Sequence, residues 1–180
     1  EIIEEAYAGD IIGVFDPGIF SIGDTLCTPG KKFKFDPIPT FAPEHFRRVR
    51  PLDTMKRKQF LKGAEQIAQE GAIQMFKAPY TGMEEIIVGV VGTLQFDVLE
   101  YRLKGEYNVE IFMEGLPYEY LRWITTDDGE PAREEDLVLG TDTKLVEDFK
   151  GRQLLLFGSQ WAVNWTSERN PQLTFSEFSA

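Results

Sequence analysis

A short basic stretch is the part of this sequence best suited to binding chemistry. The chain has 180 residues and a formal net charge of -11 at pH 7, yet eight residues able to carry positive charge fall within positions 45–62. They are His45, Arg47, Arg48, Arg50, Lys56, Arg57, Lys58 and Lys62. Because Lys and Arg supply most protein affinity for a phosphate backbone, one hypothesis is contact with nucleic-acid phosphate. The alternative is a solubilising surface whose cations pair within the chain.

The sequence contains no motif for catalysis or nucleotide binding. It has no glycine-rich phosphate loop followed by Lys-Ser or Lys-Thr. Cys27 and His45 are the only residues of their types, and neither lies in a nucleophile-elbow or active-cysteine signature. One cysteine and one histidine also argue against a structural zinc site. We therefore predict that this chain is not itself an enzyme and has no catalytic residue, cofactor or metal.

The composition predicts a folded protein of a reducing compartment. Hydrophobic residues make up 42% and aromatic residues 13% of the chain, which is enough to form a core. A single cysteine cannot form an intramolecular disulfide, so a cytoplasmic location is expected. No run approaches the roughly 20 apolar residues that a membrane span requires. The chain starts at Glu1 within a strand-like pattern, so we expect a piece of a longer protein.

A proline-rich linker precedes the elements that would position the basic stretch. Residues 36–43 include three prolines, which indicates a stiff linker and a domain boundary near residue 40. Residues 1–35 read as turns and short strands, for example at 11–15 and 19–22. They fit either an antiparallel meander at a sheet edge or the end of a β-barrel whose first strands are missing.

The part from about 44 to 113 predicts a β-α-β-β-α-β unit. Strands are expected at 44–51, 72–76, 84–90 and 108–113. One helix, capped by Asp53 or Thr54, should end near Glu70, and a second should cover residues 93–104. This order is the ferredoxin-like arrangement. Alternation in the first strand predicts that Phe46, Arg48 and Arg50 share one face, with His45 and Arg47 on the other.

A C-terminal α/β extension is expected after this core. It should contain strands at 120–125 and 154–157, an amphipathic helix at 144–149, and a last helix capped by Ser159 and ended by Asn170-Pro171. Trp161 and Trp165 on that helix are expected to be core anchors. The predicted fold class is α+β, with the end of a β-barrel and the linker over residues 1–40 and an α+β domain over 41–180.

Several segments together resemble one family. They are GDIIG at 9–13, IGDTL at 22–26, IPTFAPEHFRRVR at 38–50, LKGAEQ at 61–66, VGTLQFDV at 91–98 and RLKGEYNV at 102–109. In this order they resemble the C-terminal part of the bacterial class II release factor GTPases, the peptide chain release factor 3 family. The section from about 114 to 180 matches more loosely, mainly at Arg122-Trp123 and the helix with Trp161.

The resemblance implies a role in translation termination. Members of the family have a GTPase domain, a β-barrel second domain and an α+β third domain, so this chain would begin at the end of the barrel and lack the GTPase. The intact factor binds GTP or GDP, docks on the ribosome and promotes departure of class I release factors after peptide release at a stop codon. This chain would be the ribosome-docking portion facing the small subunit, with no membrane partner. Candidate contacts to rRNA or ribosomal protein are the eight cations and Gln95.

Other assignments stay open from the sequence. The chain fits the equivalent fragment of a translocase-like or ribosome-protection GTPase, which shares the third-domain arrangement. A ferredoxin-like core also suits an acylphosphatase-like enzyme or a small-ligand module, although residues 51–53 offer no arginine-bearing phosphate loop. A non-enzymatic protein-interaction module is a further alternative. For Gln95 itself, a capping or packing role at the helix start competes with a contact outside the domain.

Overall fold

Residues 2–36, 41–78 and 84–177 are described by a computed structural model of the chain. They belong to two units, Glu1–Ile38 and Pro39–Ala180.

The described part of the first unit, residues 2–36, contains turns and extended segments but no strand. The Asp16 carboxylate accepts hydrogen bonds from the backbone N–H groups of Gly18 and Ile19, each at 2.8 Å. The strands predicted at residues 11–15 and 19–22 are therefore wrong for this structure. The backbone N–H and C=O groups of a strand need hydrogen-bond partners on a neighbouring strand. In this unit, turns provide hydrogen bonds for part of these groups within the same segment. The assignment of this unit to a β-barrel stays a prediction.

The second unit is an α+β domain, which confirms the predicted class. Its described residues form one antiparallel sheet of eight strands in the order β4-β1-β3-β2-β6-β7-β5-β8. In chain order the elements are β1 (His45–Pro51), α1 (Arg57–Gln69), β2 (Gln74–Ala78), β3 (Glu85–Val90), α2 (Leu94–Tyr107), β4 (Ile111–Leu116), β5 (Tyr120–Thr126), β6 (Thr143–Asp148), β7 (Gln153–Phe157), α3 (Gln160–Arg169) and β8 (Leu173–Ser176).

The elements from β1 to β4 follow the predicted order, with shifted ends. Asp53 accepts a hydrogen bond from the Met55 N–H at 2.9 Å and so caps a short 3-10 turn that leads into α1. Helix α2 continues past its predicted end to Tyr107. It ends at Asn108, whose left-handed backbone (φ 53°) lets the next N–H group, that of Val109, reach the Leu103 carbonyl at 3.0 Å.

Three apolar clusters hold the sheet and helices together. In the first, α1 and α2 pack on one face of the β1–β4 half, through residues such as Phe60, Leu99, Leu103 and Val88. The second joins Phe46, Phe76 and Ile87 to residues of β5, β6 and β7, namely Leu121, Val146, Leu154 and Leu156. Every buried residue of this second cluster lies in a strand and is at most 3% exposed, so the sheet must curl until its own strands cover this face. The third cluster places α3 on the outer face of β7 and β5.

The helix predicted at residues 144–149 is wrong, because residues 144–148 belong to strand β6 and Phe149 lies in the turn after it. Leu145 belongs to the cluster under α3, whereas the adjacent Val146 belongs to the cluster inside the curl. A strand buried on both faces has consecutive apolar residues and loses the alternation that identifies strands in a sequence. The edge strand β8 was not predicted either.

Helix α3 is capped as predicted, but its tryptophans are not core anchors. Ser159 Oγ accepts a hydrogen bond from the Ala162 N–H at 3.1 Å. Trp161 is 68% exposed, and its ring centroid lies 6.2 Å from that of the half-buried Trp165. The side that packs on the sheet is formed instead by Ala162, Val163 and Thr166. Small residues therefore bring α3 close to the sheet, and the large rings lie outside.

Candidate functional site

Strand β1 carries the centre of the predicted basic stretch and lies between two partners. It pairs with β3 on one side and β4 on the other, so that Arg48 lies opposite Ile87 and Glu114. The buried Phe46 belongs to the cluster inside the curl, and Val49 belongs to the cluster under the helices. The predicted alternation of faces along this strand is therefore confirmed.

Arg47 and His45 lie beside an open groove at one end of the sheet. The Arg47 guanidinium is 4.3 Å from the centroid of the Phe96 ring at the start of α2, a cation-π contact. His45 is exposed. The groove has a volume of about 1110 Å³, and Tyr118 and Arg122 also line it. It combines apolar and charged walls and is wide enough for an extended segment of a partner rather than only a small ligand.

Arg48 belongs to an internal ion-pair network. Its guanidinium donates to the Glu85 carboxylate and lies 2.5 Å from Glu114, while the Lys144 ammonium lies 2.6 Å from Glu85. Burial alone would raise the pKa of Glu85, but hydrogen bonds from Lys144 and Arg48 outweigh it and hold this pKa below its ordinary value. The same contact with Glu85 raises the pKa of Arg48 above its ordinary value. The charge of Arg48 is thus used within the domain.

The remaining cations are spread over several local environments. The Arg50 guanidinium lies 4.8 Å from the centroid of Phe112 on β4. The Lys56 ammonium donates to the Asn108 carbonyl at 2.6 Å, and Arg57 donates to the Glu84 carbonyl at 2.8 Å. Lys58 and Lys62 are exposed on α1, one turn apart. The predicted stretch is therefore divided, with Arg48 in an ion network and Arg50, Lys58 and Lys62 open to solvent.

Gln95 braces the turn between β3 and α2. Its Oε1 accepts hydrogen bonds from the Val91 and Gly92 N–H groups at 2.9 and 3.0 Å. Its Nε2 donates to the Ala72 carbonyl at 2.7 Å, which ties the turn to the segment before β2. These bonds hold the turn before α2 and do not cap the helix, whose N-cap residue Thr93 makes no side-chain cap bond. Of the roles that the sequence left open, the one within the domain is therefore supported, as bracing of this turn, and a contact of Gln95 outside the domain stays a prediction.

The sequence did not point to Glu85, Lys144 or the two rings beneath the arginines. Glu85 and Lys144 lie 59 positions apart in the chain, so no local spacing could join them. Lys144 also falls in the segment that was wrongly predicted as a helix. Only the strand register, which sets Glu114 opposite Arg48, could have suggested part of the network.

The described residues lack two other kinds of feature, a metal-binding cluster and a membrane-spanning helix. They contain no group of three or more His, Cys, Asp and Glu side chains placed to hold a metal ion. No described helix is long and apolar enough to cross a membrane.

Comparison with known proteins identifies relatives over nearly the full length of the chain. The family model described as "Class II release factor RF3, C-terminal domain" matches residues 35–167. The chain is 51% identical over 175 residues to peptide chain release factor 3 of Symbiobacterium thermophilum, which covers 97% of this chain and 32% of that protein. It is 45% identical over 177 residues to peptide chain release factor 3 of Gloeobacter violaceus (98% and 33%). It is 43% identical over 173 residues to peptide chain release factor 3 of Listeria welshimeri, an alignment that covers 96% of this chain and 32% of that protein. The chain thus spans about a third of the length of the curated relatives it matches.

Proposed function

The chain belongs to the class II release factor RF3 family, and from this premise we propose that it is the C-terminal ribosome-docking portion of a translation termination factor. In its intact form that factor would use GTP to promote departure of class I release factors after peptide release at a stop codon. The observation that carries the proposal is 51% identity over 97% of the chain to a peptide chain release factor 3. The fragment of a translocase-like GTPase and the plain interaction module are not favoured, since the relatives compared above are named release factor 3.

GTP hydrolysis would belong to the part of the longer factor outside this chain. The relatives are about three times as long as the segment they share with it. We assign GTP and GDP binding to that other part, and no catalytic step to the residues described above. The factor would act in the cytoplasm, where ribosomes translate.

The strand order is the basis on which we propose a ferredoxin-like core with a C-terminal extension. A β-α-β-β-α-β sequence whose sheet runs β4-β1-β3-β2 supports a ferredoxin-like core in the second unit. Strands β5 to β8 and α3 then form an extension that continues the same sheet. For residues 1–40 we keep the assignment to the end of a β-barrel domain, on the strength of the family resemblance.

The proposed ribosome contact uses the cations that remain open to solvent. His45, Arg50, Lys58 and Lys62 are exposed, and they would contact rRNA phosphate or ribosomal protein on the small-subunit side. Lys56, Arg57 and Arg47 could join them by exchanging their present intramolecular contacts. Arg48 is the weakest candidate, because leaving Glu85 would take one of its two cationic partners from a largely buried carboxylate.

Co-sedimentation with purified bacterial ribosomes tests this proposal. The double variant Arg50→Glu, Lys58→Glu should bind about tenfold or more weakly than wild type, and its affinity should depend less on salt by a log-log slope of about 2. Arg133→Glu with Lys150→Glu is the matched control, since it makes the same change in net charge at two exposed cations that are no candidate contacts. Equal binding of the double variant and the control would refute the assignment of these residues.

A further inference from the structure

Helix α2 is apolar on two opposite sides. Its inner side is buried under α1 and the sheet through Phe96, Leu99 and Leu103. Its outer side bears Leu94, Val98 and Tyr101, which are 75%, 46% and 80% exposed. These three residues stand at positions i, i+4 and i+7 and so form one line along the helix, called here the α2 stripe.

The stripe is a continuous apolar surface rather than a set of scattered residues. Single exposed apolar residues are common, but an aligned group on a helix marks an interaction site more often than chance. Gly105 continues the same line one turn further, and a Cβ built there would have no neighbour within 4 Å. The surface is therefore open at this end of the line.

The rim of the stripe is acidic. Asp97 is an exposed carboxylate next to the stripe, and Glu100, three residues later, is a second one further round the same side of the helix. The cations of α2 are already neutralised: Arg102 pairs with Glu70 and Glu106, and the Lys104 ammonium lies 3.2 Å from Glu110. This charge distribution repels a phosphate backbone and attracts Lys and Arg side chains.

We propose that the α2 stripe docks a basic protein segment of the ribosome. Aliphatic or aromatic side chains of the partner would cover Leu94, Val98 and Tyr101, while its Lys or Arg residues face Asp97 and Glu100. This inference rests on the proposed function and deepens it, because it separates a protein contact on α2 from the rRNA contact assigned to the exposed cations of β1 and α1. The acidic rim is the feature that selects protein over RNA.

Charge reversal on the rim distinguishes a protein partner from an RNA partner, because it should weaken binding to a basic protein and strengthen binding to RNA. The full chain with Asp97→Lys and Glu100→Lys is compared with a control carrying Glu134→Lys and Glu135→Lys, which makes the same change in net charge at an exposed turn. In co-sedimentation with ribosomes, the rim variant should bind at least tenfold more weakly than the control. Tighter binding than the control would show that α2 faces RNA and would overturn the inference.

A second variant tests the apolar contact itself. Leu94→Ser with Tyr101→Ser should also weaken ribosome binding by about tenfold or more, because buried aromatic anchors dominate interface energies. Both side chains are exposed, so the thermal unfolding midpoint should stay near that of wild type.

Unchanged binding of this variant would refute docking through the α2 stripe while leaving the proposed function intact. Absence of wild-type binding would refute the proposed function and this inference with it. Self-association of wild type that the serine variant abolishes would assign the stripe to a second copy and overturn the inference.

Discussion

Replacing Glu85 by Gln should destabilise the fold strongly, because Glu85 is the acidic centre of the network at β1. Its side chain is only 9% exposed, and its two carboxylate oxygens serve Arg48 and Lys144 separately. Glutamine keeps the size but removes the charge, so two cations lose their common partner. Removing one member of a buried ion pair costs about 3–5 kcal/mol. Arg48 and Lys144 are partly exposed and Arg48 keeps Glu114, so we expect about 2–3 kcal/mol.

Glu114→Gln provides the matched control on the same arginine. Glu114 also pairs with Arg48, at 2.5 Å, but its side chain is 54% exposed. An exposed pair contributes about 0–1 kcal/mol, so this variant should lose less than about 1 kcal/mol. Urea unfolding at pH 7, followed by far-ultraviolet circular dichroism, gives both free energies of unfolding. Equal losses in the two variants would refute the argument that burial sets the strength of this network.

The effect of Glu85→Gln should also depend on pH. The pKa of Glu85 in the folded chain lies below its ordinary value of 4.5. A depressed carboxyl pKa contributes stability that is present above the unfolded pKa and is lost as the pH falls through the folded pKa. The difference in unfolding free energy between wild type and the variant should therefore be constant near neutral pH and shrink below about pH 4.5. If the difference in unfolding free energy between wild type and Glu85→Gln stayed constant down to pH 3, Glu85 would not be the ionised partner of Arg48 and Lys144.

Two further predictions concern the helix contacts that shape the site, each measured by urea unfolding. Gln95→Ala removes two accepted hydrogen bonds and one donated bond at the β3–α2 turn and should cost about 1–2 kcal/mol; no loss would mean that water replaces the amide fully. Gly63→Ala should lower the free energy of unfolding by about 1–2 kcal/mol, because the new Cβ would lie 2.8 Å from atoms of Leu103 and Tyr107. Gly105→Ala should raise it by about 0.5–1 kcal/mol, because alanine favours the helix and its Cβ would have no neighbour within 4 Å. Equal effects of the two alanines would refute the close approach of α1 and α2 at Gly63.

Local patterns predicted those parts of the fold that local interactions decide. The caps at Asp53 and Ser159 are examples, since each side chain bonds a backbone N–H within three residues. The alternation along β1 was also predictable, because one residue in two must face the helices. For Gln95 the sequence indicated only a position near a helix start, and the fold decides its role, because its bonds join the β3–α2 turn to the segment before β2.

The errors arise where distant parts of the chain decide the structure. Residues 144–149 have apolar Leu145 and Val146 side by side, and only the packing of β6 between β2 and β7 makes the segment a strand. Arg48 looked like a surface cation until the fold brought Glu85 and Lys144 to it. Trp161 looked like a core anchor because its size suggests burial, but α3 packs through smaller neighbours.

The most direct test of the central claim is competition for ribosomes. Labelled peptide chain release factor 3 of Symbiobacterium thermophilum, the relative that is 51% identical to this chain, is bound to purified ribosomes and titrated with the unlabelled chain. A docking portion of the same family should displace the labelled factor in a saturable manner, and Arg50→Glu with Lys58→Glu should shift the displacement curve to higher concentration. If the chain displaces none of the labelled factor while unlabelled full-length factor does, the proposed ribosome-docking function is contradicted.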